Sequence, residues 1–154
     1  MSYGTLIVSR HGPVELIELT SPDGMNCYTP EMGEDLVVAL RAAATNPATA
    51  AVVLTGSGRA FCAGAHRSVL SGQVGPSGLR IGQEHFIAGF APEFAALPKL
   101  TIAAFNGSAA GIGVTMSLLC DLRLAVPGAK LQLNFAELGI MPGLGSTRTL
   151  VDIV

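Results

Sequence analysis

Two strand-to-helix junctions hold the residues best suited to chemistry in this sequence. They span residues 52–65 and 102–115, and each ends an apolar run in a turn of small residues. Because bulky side chains are missing, such turns allow backbone N–H groups to point into a cleft. Two N–H groups that converge from separate loops form an oxyanion hole, which stabilises negative charge on a carbonyl oxygen. The junctions therefore indicate carbonyl chemistry that passes through an enolate or a tetrahedral intermediate.

The glycines fit other glycine-rich motifs poorly. Gly111-Ile112-Gly113 opens a predicted helix, but Met116 stands at the third glycine position of a dinucleotide fingerprint. The sequence has no phosphate-binding Gly-Lys-Ser/Thr loop, and Gly143-Leu144-Gly145-Ser146 has the wrong order for a serine nucleophile elbow. A nucleotide-binding module stays open as an alternative hypothesis, which preferential binding of NAD or ATP would support.

Alternating strands and helices must position the two junctions. Residues 5–10 and Val14–Leu19 predict a hairpin, and Thr29-Pro30-Glu31 predicts the start of a helix that runs to about Thr45. Further strands are predicted at residues 51–55, 100–105, 122–125 and 131–135, and helices at residues 79–96 and 111–120. This alternation predicts an α/β chain with a largely parallel sheet, in one domain over residues 1–154.

Composition excludes several classes of protein. Of the 154 residues 49% are hydrophobic and 13% are charged, which excludes a disordered chain. The net charge of −2 and the presence of only two lysines argue against nucleic-acid binding. Residues 100–120 are long and apolar enough to cross a membrane, but Asn106-Gly107 predicts a turn in their middle, so we expect no membrane span.

The cysteines and the first residues indicate a reducing compartment. Cys27, Cys62 and Cys120 have no metal-ligand spacing and are predicted to be buried hydrophobic residues. The first residues show no secretory pattern. We therefore expect a cytoplasmic protein without a metal site.

A positive segment surrounds the first junction. Between Asp35 and Glu84 the sequence has no acidic residue but four arginines. A local positive field suits an anionic ligand such as a CoA phosphate, although chance produces similar gaps in a chain with few acids. The Gly/Ser-rich residues 72–78 in the same segment predict a mobile loop.

Three segments, in order, resemble the signatures of the crotonase superfamily, the enoyl-CoA hydratase/isomerase family. Residues 51–65 (AVVLTGSGRAFCAGA) are similar to its first signature. Residues 102–123, with Asn106-Gly107 and Gly111-x-Gly113, resemble the second, and residues 138–145 (LGIMPGLG) resemble the third. The resemblance implies a crotonase-like ββα-repeat spiral core (the ClpP/crotonase fold) that binds acyl thioesters.

The same resemblance assigns roles to individual residues. It implies that the backbone amides of Ala65 and Ile112 are the oxyanion donors. CoA would enter as part of the substrate, without a tightly bound cofactor. The residues implied to bind CoA are Ala63, Gly64, Ala65 and Asn26. The place of the usual phosphate-binding arginine holds Ser21, so Arg59 or Arg67 is expected to contact the phosphates instead.

The sequence departs from the hydratase pattern at its acids and bases. The places of the two hydratase glutamates hold Thr115 and Phe135, neither of which can act as a carboxylate base. Glu137 and His66 are the remaining candidates for proton transfer. A solvated surface glutamate and a hydrogen-bonded loop histidine are the plain alternatives for these two residues.

Three functions follow from this pattern. The first is an acyl-CoA enzyme, a lyase or isomerase, that stabilises a thioester enolate. Asn134-Phe135 and Pro142–Gly145 also resemble a decarboxylase branch that acts on carrier-protein or CoA thioesters. The third is a silent homologue that binds a thioester or a partner. Because family members continue past the third signature, the core is expected to be truncated at its C-terminus, and a homotrimer or hexamer is expected.

Overall fold

The chain is built from successive units in which two strands precede helical structure. The computed structural model describes residues 3–154. In chain order the elements are β1 (Leu6–His11), β2 (Val14–Leu19), α1 (Pro30–Thr45), β3 (Ala51–Gly56), β4 (Ala60–Cys62), α2 (Arg67–Leu70), α3 (His85–Ala88), α4 (Ala91–Ala95), β5 (Leu100–Phe105), β6 (Ser108–Ala110), α5 (Ile112–Ser117), β7 (Leu122–Ala125), β8 (Leu131–Gln132) and α6 (Ser146–Ile153). The predicted ββα repeat is confirmed.

The strands form two sheets, and each later unit contributes one strand to each sheet. The larger sheet has the order β1-β2-β3-β5-β7, and the smaller has the order β4-β6-β8. Among the strands of residues 3–154, only the β1–β2 hairpin is antiparallel, and every other pairing is parallel. This arrangement confirms the predicted, largely parallel sheet, and it places the ends of β4 and β6 side by side.

Helix α1 covers one face of the larger sheet because its sequence has both a start signal and an apolar stripe. The Thr29 side chain accepts a hydrogen bond from the Met32 N–H, and Pro30 occupies the first helical position. Leu36 and Leu40 are fully buried or nearly so in the core beneath the helix. The predicted bounds of this helix are confirmed.

The single helix predicted at residues 79–96 is wrong. Residues 79–84 contain no helix, with a turn at residues 81–83, and two short helices, α3 and α4, follow on either side of Gly89. The misleading signal comes from Phe86, Phe90 and Phe94, which recur at helical spacing and are all buried. Their burial arises from packing against one another and against α1, so it does not require a continuous helix.

The apolar residues 100–120 fold as β5, a turn, β6 and the short helix α5, which ends at Ser117 rather than Cys120. In the part of the chain that the structure describes, no helix is long and apolar enough to cross a membrane. Residues 100–120 thus contain the predicted strand, turn and helix.

Helix α1 holds the loop at residues 72–78 through one carboxylate. Glu31 Oε1 accepts hydrogen bonds from the Ser77 N–H (3.0 Å) and from Ser77 Oγ (2.6 Å). Partial burial raises the pKa of Glu31, but the hydrogen bonds from Ser77 outweigh it and lower that pKa to about 2. The ionised Glu31 is therefore the form that the folded loop stabilises.

Glu31→Gln should lower stability at neutral pH and should lower it less at acid pH. A carboxyl whose pKa falls on folding stabilises the fold above its ordinary pKa of 4.5, and this contribution disappears as the pH falls towards about 2. Because solvent screens this site, we expect a loss of only about 1 kcal/mol at pH 7. Urea unfolding at pH 7 and pH 3 measures it, and an equal loss at both pH values would contradict the assignment.

Candidate active site

The two strand-to-helix junctions touch each other, and glycines make this contact possible. A Cβ atom on Gly64 would lie 3.3 Å from the Ala110 carbonyl oxygen, and Gly64 has a φ of +98°. A Cβ on Gly113 would lie 2.5 Å from the Cys62 carbonyl oxygen. Residues 62–65 and 110–113 are therefore packed backbone to backbone, as the pairing of β4 with β6 requires.

The backbone around Ala65 leaves one donor unused. Tyr28 donates its N–H to the Gly64 carbonyl (2.8 Å) and accepts the His66 N–H on its own carbonyl (2.9 Å). This parallel bridge holds the chain on both sides of Ala65. Within residues 3–154, no hydrogen-bond acceptor pairs with the Ala65 N–H itself.

The second junction leaves a donor of the same kind. Gly111, with a φ of +51°, turns the chain into α5, and Ile112 is the first residue of that helix. The first N–H groups of a helix have no partner within it. Among the described residues the Ile112 N–H also finds no acceptor elsewhere. Ala65 and Ile112 both line one cleft, so two unused N–H donors are available to a ligand in it.

This cleft has a volume of about 450 Å³ and lies between the junctions, residues 81–87 and the third signature. Its lining consists of Ala63, Gly64, Ala65, Leu70, Ile81, Gly82, Ile87, Gly111, Ile112, Thr115, Asn134, Phe135, Leu138, Ile140, Met141 and Gly143. These residues are mostly apolar, and no ionisable side chain is among them. The cleft therefore offers backbone donors and an apolar wall rather than an acid or a base.

Four of the residues predicted from sequence meet in the cleft: Ala63, Gly64, Ala65 and Ile112. Thr115 and Phe135, at the two places where hydratases carry glutamates, also line it. The Thr115 hydroxyl donates to the Ile112 carbonyl (3.3 Å), so it is already committed to the backbone of α5.

The structure does not bring the other predicted side chains into the cleft lining. His66 is exposed and caps α2, where its Nδ1 accepts the Ser68 N–H (3.2 Å). Glu137, Arg59 and Arg67 are also exposed and lie outside the lining. Their predicted roles in proton transfer and phosphate binding stay predictions.

The structure corrects the prediction that Asn26 contacts CoA. It is fully buried, with a φ of +53°. Its Nδ2 donates to the carbonyls of Ser57 and Ala60, both at 2.8 Å. A buried amide that is used in this way cannot reach a ligand, so Asn26 instead fixes the loop that leads into β4.

The sequence analysis missed the apolar wall of the cleft. Ile81 and Ile87 fall within the continuous helix that the sequence predicts, and that prediction hides the turn between them. Leu138, Ile140 and Met141 belong to the third signature, and their exposure of 42% to 87% marks an open apolar rim. The apolar residues of this run are visible in the sequence, but their exposure, which marks a patch able to bind a ligand or partner, is seen only in the structure.

Cys62 and Cys120 are buried as the sequence predicts, whereas Cys27 is only half-buried. Burial raises the pKa of Cys62 to about 12 and that of Cys120 to about 12, so both thiols stay protonated and unreactive at neutral pH. Burial raises the pKa of Cys27 as well. Within residues 3–154, no group of three His, Cys, Asp or Glu side chains is placed to hold a metal ion.

Comparison with known sequences shows where this architecture occurs. A family model described as "Enoyl-CoA hydratase/isomerase" matches residues 9–154. The probable enoyl-CoA hydratase EchA14 of Mycobacterium tuberculosis is 40% identical over 149 residues, which cover 94% of this chain and 56% of that protein. The 1,2-epoxyphenylacetyl-CoA isomerase of Escherichia coli is 34% identical, over 87% of this chain and 52% of its own length. The chain thus spans little more than half the length of these relatives.

Solved structures agree with the sequence comparison. An enoyl-CoA hydratase from Bacillus halodurans superimposes with a TM-score of 0.86 at 28% identity, over 98% of this chain and 61% of that one. DspI of Pseudomonas aeruginosa superimposes with a TM-score of 0.87 at 28% identity, over all of this chain and 58% of its own. From the fold, the paired junctions and these matches, we conclude that the chain belongs to the enoyl-CoA hydratase/isomerase family, within the crotonase superfamily.

Proposed function

We propose that this chain binds an acyl-CoA thioester and stabilises its enolate with the backbone N–H groups of Ala65 and Ile112. The observation that carries the proposal is the pair of unused N–H donors on one apolar cleft. The thioester carbonyl oxygen accepts from both donors, and the bonds strengthen as the oxygen becomes negative. Each such donor stabilises the transition state by about 3 kcal/mol.

The cleft lining favours reactions that generate the enolate without a base from this chain. Hydration of an enoyl thioester needs one group to activate water and another to protonate the α-carbon. The glutamate places hold Thr115 and Phe135, and no lining side chain within residues 3–154 is ionisable. Hydration by these residues alone is therefore not supported.

Decarboxylation of an α-carboxy acyl thioester, whose carboxylate is bonded to the α-carbon, is the second candidate, and the same apolar lining favours it. The bond between the α-carbon and the carboxylate carbon breaks, and its electron pair becomes the enolate held by the two N–H groups. Carbon dioxide leaves, and a proton from water then reaches the α-carbon. This sequence of steps needs an oxyanion hole but no base in the bond-breaking step.

Whichever reaction passes through the enolate, CoA arrives as part of the thioester substrate, and no tightly bound cofactor is proposed. Arg67 follows Ala65 by two residues and is exposed, so it is a reasonable partner for a CoA phosphate at the mouth of the cleft. Cytoplasmic location and assembly into trimers or hexamers remain part of the proposal, supported by the family membership.

Thermal unfolding of the 154-residue chain with CoA, acetyl-CoA, crotonyl-CoA and NAD tests thioester binding. A ligand at 100 times its Kd stabilises the native state by about 2.7 kcal/mol, so we expect the CoA thioesters to raise Tm by several degrees. NAD should leave Tm unchanged, because the cleft lacks a dinucleotide motif. An increase with NAD alone would contradict the proposal and favour the nucleotide-binding hypothesis.

Turnover assays then distinguish decarboxylation from hydration. Methylmalonyl-CoA should lose carbon dioxide if decarboxylation is correct, and crotonyl-CoA should lose its enoyl absorbance if hydration occurs. Binding of thioesters without any turnover would identify a silent homologue and would reject the enolate chemistry.

A further inference from the structure

A buried hydroxyl–carboxylate pair lies beside the cleft and has no part in the chemistry proposed above. Tyr28 Oη donates to Glu84 Oε1 at 2.7 Å, and both residues have 0% exposure. Glu84 Oε2 accepts the Gly82 N–H, also at 2.7 Å. Among the described residues, no Lys, Arg or His forms an ion pair with this carboxylate. Both carboxylate oxygens are thus satisfied by neutral donors on two different segments.

The pair joins the two sides of the cleft. On one side, the main chain of Tyr28 bonds to Gly64 and His66 and so holds Ala65 between them. On the other side, Gly82 lies in the cleft wall beside Ile81. The Glu84 carboxylate therefore links the oxyanion loop to the apolar wall through two hydrogen bonds, one from Tyr28 Oη and one from the Gly82 N–H.

Ile81 also packs against the hydrophobic core, and beside Glu84 the His85 N–H donates to Glu34 Oε1 on α1 (2.6 Å). The aromatic anchors Phe86, Phe90 and Phe94 all follow Glu84 in the chain, whereas the wall residues Ile81 and Gly82 precede it. Before them, the nearest attachment to α1 is the bond between Glu31 and Ser77 described above. Glu84 is thus the buried anchor nearest to the wall.

Helix α1 is shaped to admit this pair. A Cβ atom on Gly33 would collide with Tyr28 Oη and would lie 3.0 Å from Glu84 Cγ. Burial and the neighbouring Glu84 raise the pKa of Tyr28, so its hydroxyl stays protonated and remains a donor. Tyr28 also contacts the Phe86 ring, with 6.0 Å between the ring centroids, which limits its movement.

We propose that Tyr28 and Glu84 are positioning residues that hold the Ile81–Gly82 wall at a set distance from the Ala65 N–H and thereby determine the acyl chain that the cleft accepts. This inference rests on the proposed thioester function. Neither side chain touches the substrate, because both are fully buried. Their effect is confined to the placement of the wall relative to the oxyanion donors.

Tyr28→Phe removes the hydroxyl and keeps the ring, and Glu84→Gln keeps the shape but loses one acceptor. The matched control is Thr49→Val, which deletes a hydroxyl that donates to the buried Glu15 carboxylate (3.0 Å) outside the cleft lining. Hydrogen exchange followed by mass spectrometry reports on the wall without any ligand. We expect exchange in residues 79–84 to become about tenfold faster in either test variant and unchanged in the control.

The Kd values for an acyl-CoA and for CoA distinguish a positioning role from a general role in stability. We expect Tyr28→Phe to weaken hexanoyl-CoA binding about tenfold while CoA itself stays within about twofold of its wild-type Kd. The inference is overturned if exchange in residues 79–84 is unchanged in both test variants, or if CoA and hexanoyl-CoA weaken by the same factor. If the wild-type chain binds neither ligand, the proposed function fails, and the exchange measurement alone decides whether the pair positions the wall.

Discussion

Ile112→Pro should lower kcat/KM for the thioester substrate about 100-fold relative to Ile112→Ala. Both variants lose the isoleucine side chain, but only proline also lacks the backbone N–H. Ile112 is the first residue of α5, a position where proline is well tolerated because the N–H has no partner within the helix. Removing one oxyanion donor costs about 3 kcal/mol of transition-state stabilisation, which corresponds to the expected ratio.

Steady-state turnover of the best thioester substrate measures this ratio, and thermal unfolding checks that both variants are folded. The alanine variant is the control for the lost packing of a side chain that is 7% exposed. If the proline and alanine variants have the same kcat/KM within about threefold, the Ile112 N–H is not an oxyanion donor. Ala65→Pro against Ala65→Gly repeats the comparison at the other junction, where the N–H is also unused by the fold.

Asn26→Asp should destabilise the fold by about 3 kcal/mol or more. The Asn26 amide donates to two buried or half-buried carbonyls and is itself fully buried. Aspartate lacks the donor, so the carbonyls of Ser57 and Ala60 lose a partner and face a carboxylate instead. Because these carbonyls lie on the chain that leads into β4, thioester binding should weaken together with stability.

Urea unfolding at pH 7 measures the effect. Asn46→Asp is the matched control, since the Asn46 side-chain oxygen accepts the Ala48 N–H (3.0 Å) and aspartate retains that acceptor. We expect the control to stay within about 0.5 kcal/mol of the wild type. An Asn26→Asp variant as stable as this control would contradict the positioning role of Asn26.

Local sequence patterns predicted most of the elements correctly. Strands β2, β5 and β7 and helix α1 have the predicted bounds because their apolar periodicity, caps and flanking turns lie within a few residues of one another. The resemblance to the family located Ala65 and Ile112, and the structure brings both residues to one cleft. The elements and the two junctions could be predicted because each is set by the residue types within one short segment.

Tertiary structure decided the rest, because it depends on which distant residues meet. Phe86, Phe90 and Phe94 have the spacing of one helix, but contacts among themselves and with α1 bury them in two shorter ones. Asn26 has the residue type of a ligand contact, yet its amide is used by carbonyls more than 30 residues away.

The Tyr28–Glu84 bond joins residues 56 positions apart, and no local pattern marks it. A buried polar group must find a partner, and the fold rather than the sequence neighbourhood supplies one. The sequence by itself thus determined most of the elements, the family and the two junctions. Only the tertiary structure decided which side chains face the cleft and which ones hold it in shape.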